Sequence, residues 1–132
     1  MKSTCHCITL RRASRRLTAL YDDALAPAGI NLAQFSLMRT IERHAPISLT
    51  ELAGRLELDR STVGRNVKVI ERMGLVRGGP GADQREQALR LTDQGKAALT
   101  GAMPLWQAAQ AEVEARLGRD GIERLASVLE AI

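Results

Sequence analysis

The sequence predicts a single domain that is mainly α-helical and carries one small antiparallel β-hairpin. Apolar residues recur every three or four positions along most of the 132 residues, which is the period of an amphipathic helix. One Trp, one Tyr and one Phe leave aliphatic residues and alanine to build the interior, and that composition favours helices. A short run that alternates apolar and polar residues follows a Gly-rich segment and predicts the hairpin. The length fits one domain, 1–132.

Helix boundaries come from capping residues and helix breakers. Asn31 and Ser48 each precede a Gln or Glu by three residues, which is the spacing of a capping box, and Asp59 is a good N-cap residue. A long helix from residue 93, with Thr92 as its N-cap, and a short one after Gly118 bring the predicted number of helices to about six. The first four predicted helices lie at 10–25, 32–45, 49–56 and 60–73.

The third and fourth helices predict a helix-turn-helix. Their apolar positions, including Leu58 between the two helices, can face one core. The outward face of the fourth helix has short polar side chains at its N-terminal end and basic side chains along its length. Such a face suits a helix in the major groove, because small donors and acceptors reach base edges and arginine binds guanine or phosphate. A plain helical hairpin is the alternative. The predicted DNA-contacting residues are Arg60, Ser61, Thr62, Arg65 and Lys68.

The hairpin directly after the helix-turn-helix predicts a wing. Residues 75–77 form a short strand, the Gly-Gly-Pro-Gly segment 78–81 a turn, and residues 87–92 a second strand. Arg85 near the tip can reach the minor groove, where a narrow groove attracts arginine. Asp83 carries the wrong charge for DNA, so we expect it to pair with a nearby arginine and stabilise the tip. An ordinary exposed hairpin with a surface ion pair is the alternative.

The order of these features resembles the MarR family of winged helix-turn-helix transcriptional regulators. The resemblance rests on the helix-turn-helix, then Gly74-Leu75-Val76, then Asp83-x-Arg85 with Leu91-Thr92 six residues beyond, and it covers nearly the whole chain. It implies a homodimer that binds a pseudo-palindromic operator in double-stranded DNA. The implied function is a sequence-specific transcriptional regulator, a repressor that a small effector releases.

The resemblance also divides the chain and implies an effector pocket. Residues 31–92 become the predicted DNA-binding part, and residues 1–30 and 93–132 the predicted dimerisation helices. Small aromatic acids and phenols often bind such regulators between the dimer helices and the winged domain. The candidate residues for that pocket are Tyr21, Phe35, Arg39 and Trp106.

The C-terminal part independently predicts a surface for another helix. A seam with alternating spacings of four and three residues comprises Leu99, Met103, Trp106, Gln110, Val113 and Leu117. A second stripe comprises Ile122, Leu125, Leu129 and Ile132. Together with the first helix, these leave more apolar surface than one small domain covers, which favours a homodimer over an intramolecular bundle. Pro104 should kink the long helix.

Charge is unevenly distributed. Residues 1–16 carry five bases and no acid, and residues 55–96 carry nine bases and six acids, whereas the other segments are net acidic. Sixteen of the nineteen bases are Arg, whose planar donor group suits phosphate and guanine. A polyanionic partner is one interpretation, and a solvated Arg-rich surface is the other.

Cys5 and Cys7 allow three interpretations. A structural zinc needs four ligands, but Cys5, His6 and Cys7 supply three and the other histidine is His44, so we predict no metal and no cofactor. Thiol redox sensing is an alternative, because neighbouring basic residues favour the thiolate, which is the reactive form of cysteine. The interpretation that we favour is reduced thiols without a regulatory role.

The sequence contains no pattern that assembles an enzyme active site. A Gly-rich phosphate loop, a nucleophile elbow and a metal-spaced histidine cluster are all missing from it. Its apolar runs are too short for a membrane helix, and arginines interrupt any signal-peptide core, which predicts a cytoplasmic protein. A winged helix used for protein contacts, without an operator, is the competing function.

Overall fold

The computed structural model describes residues 4–80 and 87–132 of the chain. Within them lie five α-helices, one 3₁₀ turn and two strands, so the number of helices is five where the sequence predicted about six. The residues of the predicted sixth helix continue the fifth one beyond a break. In chain order the elements are α1 (His6–Leu25), a 3₁₀ turn (Ala26–Ala28), α2 (Leu32–His44), α3 (Leu49–Leu56), α4 (Arg60–Arg72), β1 (Val76–Pro80), β2 (Gln87–Leu91) and α5 (Asp93–Ala131).

The junction between α1 and α2 is fixed by side chains of both helices. Asn31 accepts a hydrogen bond from the Gln34 backbone while the Gln34 side chain accepts one from the Asn31 backbone, which confirms the predicted capping box. The Asp22 carboxylate, from α1, accepts a hydrogen bond of 2.8 Å from the Leu32 backbone N–H. A negative charge at the start of a helix also interacts favourably with the helix dipole. The entry to α2 is therefore held from two sides.

In the helix-turn-helix, α3 and α4 begin where the sequence predicted. Ser48 accepts a hydrogen bond of 3.1 Å from the Glu51 backbone N–H. The Glu51 carboxylate accepts instead from Arg55 Nε at 3.2 Å and not from the Ser48 backbone N–H. One of the two hydrogen bonds of the predicted capping box is therefore formed. Between the helices, Glu57 has a left-handed φ of 53°. That backbone conformation turns the chain towards Asp59, the N-cap of α4.

The wing is an antiparallel pair in which Val76 lies opposite Leu91 and Pro80 lies opposite Gln87. The prediction that residues 78–80 form part of the turn was wrong, since they belong to β1. Its two glycines adopt an extended backbone because partner residues on β2 supply cross-strand hydrogen bonds that local sequence does not reveal. Ile47, which precedes α3, forms an isolated β-bridge with Leu89. The Ile47 N–H donates to the Leu89 carbonyl with an N···O distance of 3.2 Å, and the Leu89 N–H donates to the Ile47 carbonyl at 2.8 Å.

The wing and α5 are joined tightly at Thr92. Its hydroxyl donates to the Gly74 carbonyl at 2.6 Å and accepts from the Gly95 N–H at 3.0 Å, which confirms Thr92 as the predicted N-cap. Gly95 packs so closely on Leu75 that a Cβ built on it would lie 2.0 Å from the Leu75 carbonyl oxygen. The end of α4, the base of the wing and the start of α5 therefore form one packed junction.

The hydrophobic core lies between the helix-turn-helix, the wing and the first half of α5. Large side chains with no exposed surface come from α1 to α4, and Ala102 of α5 is equally buried; the large ones are Leu25, Met38, Ile41, Leu52, Val63 and Ile70. The buried residues of α5 all precede Glu114, and the helix contacts both α1 and α2. Its backbone departs from helical dihedral angles at Gly118, with φ 69° and ψ 169°, which confirms the predicted break there, and Pro104 lies inside the helix.

Candidate nucleic-acid interface

The predicted DNA-contacting residues all lie on α4, and Ser61, Arg65 and Lys68 point away from the core, whereas Arg60 flanks it beside Gly64 and Val67. Val63, Val67 and Ile70 bury the opposite face. The side chain of Thr62 is half-buried, whereas the other four predicted residues are exposed. Those four exposed residues are Arg60, Ser61, Arg65 and Lys68. The face combines short hydroxyl side chains at the N-terminal end of α4 with three basic side chains along it.

A hydrogen-bond network organises the N-terminal end of α4. The Asp59 carboxylate accepts from Ser61 Oγ at 3.1 Å, from Thr62 Oγ1 at 2.9 Å and from the Thr62 backbone N–H at 3.4 Å. The Thr62 hydroxyl, and after it the Ser61 hydroxyl, holds the pKa of the Asp59 carboxyl below its usual value. Arg65 Nη2 in turn donates to Thr62 Oγ1 at 3.4 Å. Sequence reasoning identified Asp59 as a cap but missed its contacts with the two hydroxyls.

A cleft of about 390 Å³ separates α4 from β2. Two basic, one acidic and one amide side chain line it together with apolar side chains, so the exposed surface of α4 continues towards β2 of the wing. The lining residues are Leu49, Arg60, Gly64, Val67, Lys68, Glu71, Gln87 and Leu89. The predicted wing residues Asp83 and Arg85 lie outside the described residues.

Three of the four predicted effector-pocket residues lie together. The rings of Phe35 and Trp106 stack with centroids 5.6 Å apart, and the Arg39 guanidinium lies 4.7 Å from the Trp106 centroid, a cation–π distance. Phe35 is buried. The fourth residue, Tyr21, donates a hydrogen bond to the Gln110 side chain, one helical turn after Trp106. Burial, and after it the Glu114 carboxylate, raises the pKa of Tyr21 above its ordinary value.

A cavity of about 490 Å³ adjoins this aromatic pair, between α2 and α5. The aromatic rings do not line it, because Phe35 and Trp106 pack against each other, but Arg39 does. Its other residues are Glu42, Arg43, Leu99, Thr100 and Met103. Two guanidinium groups beside apolar side chains can accept a small apolar molecule that carries an anionic group.

The N-terminal end of α1 and the C-terminal end of α5 lie beside each other, and both expose apolar side chains. A groove of about 570 Å³ between them is lined by His6, Cys7, Thr9, Leu10, Ala13, Val128 and Ile132. Further exposed apolar residues of these helices are Ile8, Leu117, Leu125 and Leu129. Contiguous exposed apolar surface of this kind marks an interaction site.

Cys5 and Cys7 are exposed free thiols at the start of α1. Cys5 occupies the N-cap position, and its side chain makes no capping hydrogen bond. Among the residues that the structure describes, no three His, Cys, Asp or Glu side chains are grouped as metal ligands would be. In the same part of the chain, no helix combines the length and the apolar character needed to cross a bilayer.

A helix-turn-helix followed at once by an antiparallel β-hairpin defines a winged-helix domain, and a polar and basic face on its second helix is typical of DNA-binding regulators. Residues 28–86 match the model of the MarR family. Together with a relative that is 43% identical over nearly the full chain, this match shows that the protein belongs to the MarR family of winged helix-turn-helix transcriptional regulators. The family consists of regulators, which confirms the prediction of a non-enzymatic protein.

Similar proteins are known at the level of structure and of sequence. The transcriptional regulator MosR of M. tuberculosis, solved in complex with DNA, is 43% identical over 97% of this chain and 98% of its own, with a TM-score of 0.82. CouR, a transcriptional repressor bound to a 23-mer DNA duplex, is 28% identical over 96% of this chain and 91% of its own, with a TM-score of 0.85. The HTH-type transcriptional regulator YwoH of Bacillus subtilis is 26% identical over 85 residues, which are 64% of this chain and 62% of YwoH.

Proposed function

We propose that this MarR-type regulator is a repressor that binds a pseudo-palindromic operator as a homodimer. One observation carries the proposal: a winged-helix domain turns Ser61, Arg65 and Lys68 outward on α4, opposite its buried face. Hydroxyl and guanidinium groups are among those that read base edges in the major groove. MosR and CouR, which have the same fold, were solved with DNA, and CouR is a repressor, which supports the same assignment here.

The proposal assigns residues 31–92 to DNA binding and residues 1–30 and 93–132 to the dimer. Two copies related by a two-fold axis would cover the apolar groove at the ends of α1 and α5. Each copy would then place one α4 in a half-site, and Arg85 of each wing would contact the adjacent minor groove. Asp83 would hold the wing tip in shape.

The proposal is tested by selecting duplexes from a random library with the full chain. We expect enrichment of an inverted repeat whose half-sites are about 10–10.5 base pairs apart, because a symmetric dimer places its two α4 helices about one helical turn apart. An unchanged library would contradict the proposal. It would favour the competing function, a winged helix that contacts proteins without an operator.

We further propose that a small aromatic acid or phenol releases the regulator from DNA. The cavity between α2 and α5 supports this, since Arg39 and Arg43 line it and Arg39 packs on Trp106. Trp106 is the only tryptophan, so its fluorescence reports binding without a label. Titration with salicylate should change the emission of the parent and not that of Arg39→Gln. Equal responses, or none in the parent, would remove this effector class.

Thiol-based redox control is a second candidate function, favoured by the exposure of Cys5 and Cys7 two residues apart at the start of α1. Cys7 also lines the apolar groove assigned to the dimer. In the interpretation that we favour, the thiols have no regulatory role, and the double variant Cys5→Ser/Cys7→Ser responds to peroxide as the parent does. Peroxide release of DNA from the parent but not from the double variant would establish redox control instead.

A further inference from the structure

The Asp59 carboxylate makes more contacts than a helix cap requires. An N-cap side chain needs to accept one hydrogen bond from the backbone of the first turn, and Asp59 accepts that bond from the Thr62 N–H at 3.4 Å. It also accepts from the hydroxyls of Ser61 and Thr62, at 3.1 and 2.9 Å, and both of these contacts are shorter than the capping bond. The three donors, namely the two hydroxyls and the Thr62 N–H, all lie in the first turn of α4.

An ionised carboxylate fixes the direction of its hydrogen bonds with the two hydroxyls, because the hydroxyls must be the donors. A serine or threonine hydroxyl has one proton and two acceptor lone pairs, and it normally rotates to suit its partner. A carboxylate only accepts, so the Ser61 and Thr62 protons must both point at Asp59. The hydroxyl contacts also hold the pKa of Asp59 below its usual value, so the carboxylate is ionised throughout the neutral range. The rotation of both hydroxyls is therefore restricted.

The two oxygens then have different tasks. Thr62 Oγ1 accepts from Arg65 Nη2 at 3.4 Å, which orients the guanidinium. Ser61 Oγ is exposed and has its proton committed to Asp59, so it can offer only an acceptor to a DNA base. In the major groove, hydrogen-bond donors are the amino groups of cytosine N4 and adenine N6, whereas guanine and thymine present acceptors instead.

We propose that Asp59 is a specificity-determining positioning residue, which makes Ser61 read an amino-bearing base, cytosine or adenine, and orients Arg65 through Thr62. The inference rests on the proposed DNA-binding function and deepens it. Asp59 itself contacts no base in this arrangement. It acts by deciding which atoms of its neighbours face the groove.

The test is the variant Asp59→Asn, compared with the parent in duplex selection from one random library. Asparagine caps a helix about as well as aspartate, so stability should be retained. Its amide, however, has one acceptor oxygen and one NH₂ donor, so it donates to a hydroxyl oxygen and frees a hydroxyl proton for the groove. At the base contacted by Ser61, we expect the parent to prefer cytosine or adenine about three- to tenfold and the variant to lose or reverse that preference.

Two further variants separate this role from capping. Ser61→Ala should abolish the preference at the same base in either background, because it removes the oxygen that reads the base. Asp59→Ser retains an N-cap acceptor but cannot hold both hydroxyls, so its thermal midpoint should stay near the parent value while its preference at that base weakens. A parent that enriches an operator, together with an Asp59→Asn variant that enriches the identical sequence with unchanged preferences, overturns this inference and leaves the proposed function intact. A parent that enriches nothing overturns both.

Discussion

Arg65 is exposed on α4, and its guanidinium donates to the Thr62 hydroxyl at 3.4 Å. We propose that this side chain reads guanine. We expect Arg65→Ala to lose about 1–3 kcal/mol of discrimination between the operator and a scrambled duplex, with weak nonspecific binding largely retained. Fluorescence anisotropy with both duplexes at one salt concentration measures this. Arg119→Ala, which removes an equal charge from an exposed ion pair on α5, is the matched control. Equal losses on both duplexes would make Arg65 a phosphate contact.

Arg85 and Asp83 are predicted to perform different tasks in one wing. Arg85→Ala should weaken operator binding and reduce the salt slope by about one unit, because one cationic contact is lost. Asp83→Ala makes the net charge more favourable for DNA, yet it should also weaken binding if the carboxylate stabilises the tip. Titrations of both variants at two salt concentrations distinguish these roles. Tighter binding by Asp83→Ala at both would show that Asp83 is an ordinary surface charge.

Single residues were predictable from the sequence where their roles are local. Asn31, Asp59 and Thr92 cap their helices as predicted, because a cap depends on a few consecutive residues. The hydroxyl contacts of Asp59 depend on side-chain rotamers, which spacing does not encode. Leu58 fits the apolar pattern of the helix-turn-helix but is 49% exposed, because the turn places it outside the core.

The packed junction between the wing and α5 gives a prediction at the scale of elements. Gly95→Ala would place a Cβ 2.0 Å from the Leu75 carbonyl oxygen, and backbone atoms cannot move aside as a flexible side chain can. We expect Gly95→Ala to lower the free energy of unfolding by about 1–3 kcal/mol, the cost typical of overpacking, or by more. Gly54→Ala is the matched control, since no atom lies within 4 Å of its added Cβ and alanine favours the helix by up to about 1 kcal/mol.

Urea unfolding of both glycine variants measures these effects as shifts in the midpoint at constant slope. We expect a lower urea midpoint than that of the parent for Gly95→Ala and an equal or higher one for Gly54→Ala. Two variants with the same midpoint as the parent would mean that α5 and the wing do not approach as closely as the structure indicates.

The sequence predicted whether a segment is a helix or a strand better than it predicted where that helix or strand ends. The helix-turn-helix followed from local periodicity and caps, and α3 and α4 begin where these signals lie. The strand β1 is longer than predicted because Gly78 and Gly79 pair with β2, and Ile47 pairs with Leu89 across more than forty residues. Such pairings are set by tertiary contacts, so the sequence near each residue does not contain them.

The whole molecule is predicted to be a homodimer whose contacts come from the ends of α1 and α5. Sedimentation at micromolar concentration should show one species of twice the 14.4 kDa chain mass. Leu10→Glu, in the apolar groove, should shift it towards monomer, because a charge in an apolar interface is costly. Leu58→Glu alters a leucine of similar exposure, 49% against 45%, outside this groove and should leave the dimer unchanged. A parent that sediments as a monomer would contradict the dimer.

At this scale the sequence predicted the class of fold, but not the shape of the cavity between α2 and α5. Phe35 and Trp106, two of the predicted effector-pocket residues, stack on each other beside this cavity. Arg43 and Met103, which do line it, carry no signal in the sequence that separates them from other surface and seam residues. Cavities form where distant elements meet, so their linings follow from packing.

The central claim is that α4 and the wing bind one DNA sequence in preference to others. It is tested most directly by measuring the affinity of the full chain for the selected duplex and a scrambled one while salt is raised. We expect the affinity for both duplexes to fall steeply and linearly on a double-logarithmic plot, because phosphate contacts release counterions. We also expect the selected duplex to bind about 10³-fold or more tightly than the scrambled one at physiological salt. Equal affinity for the two duplexes, or binding that barely responds to salt, would contradict this claim.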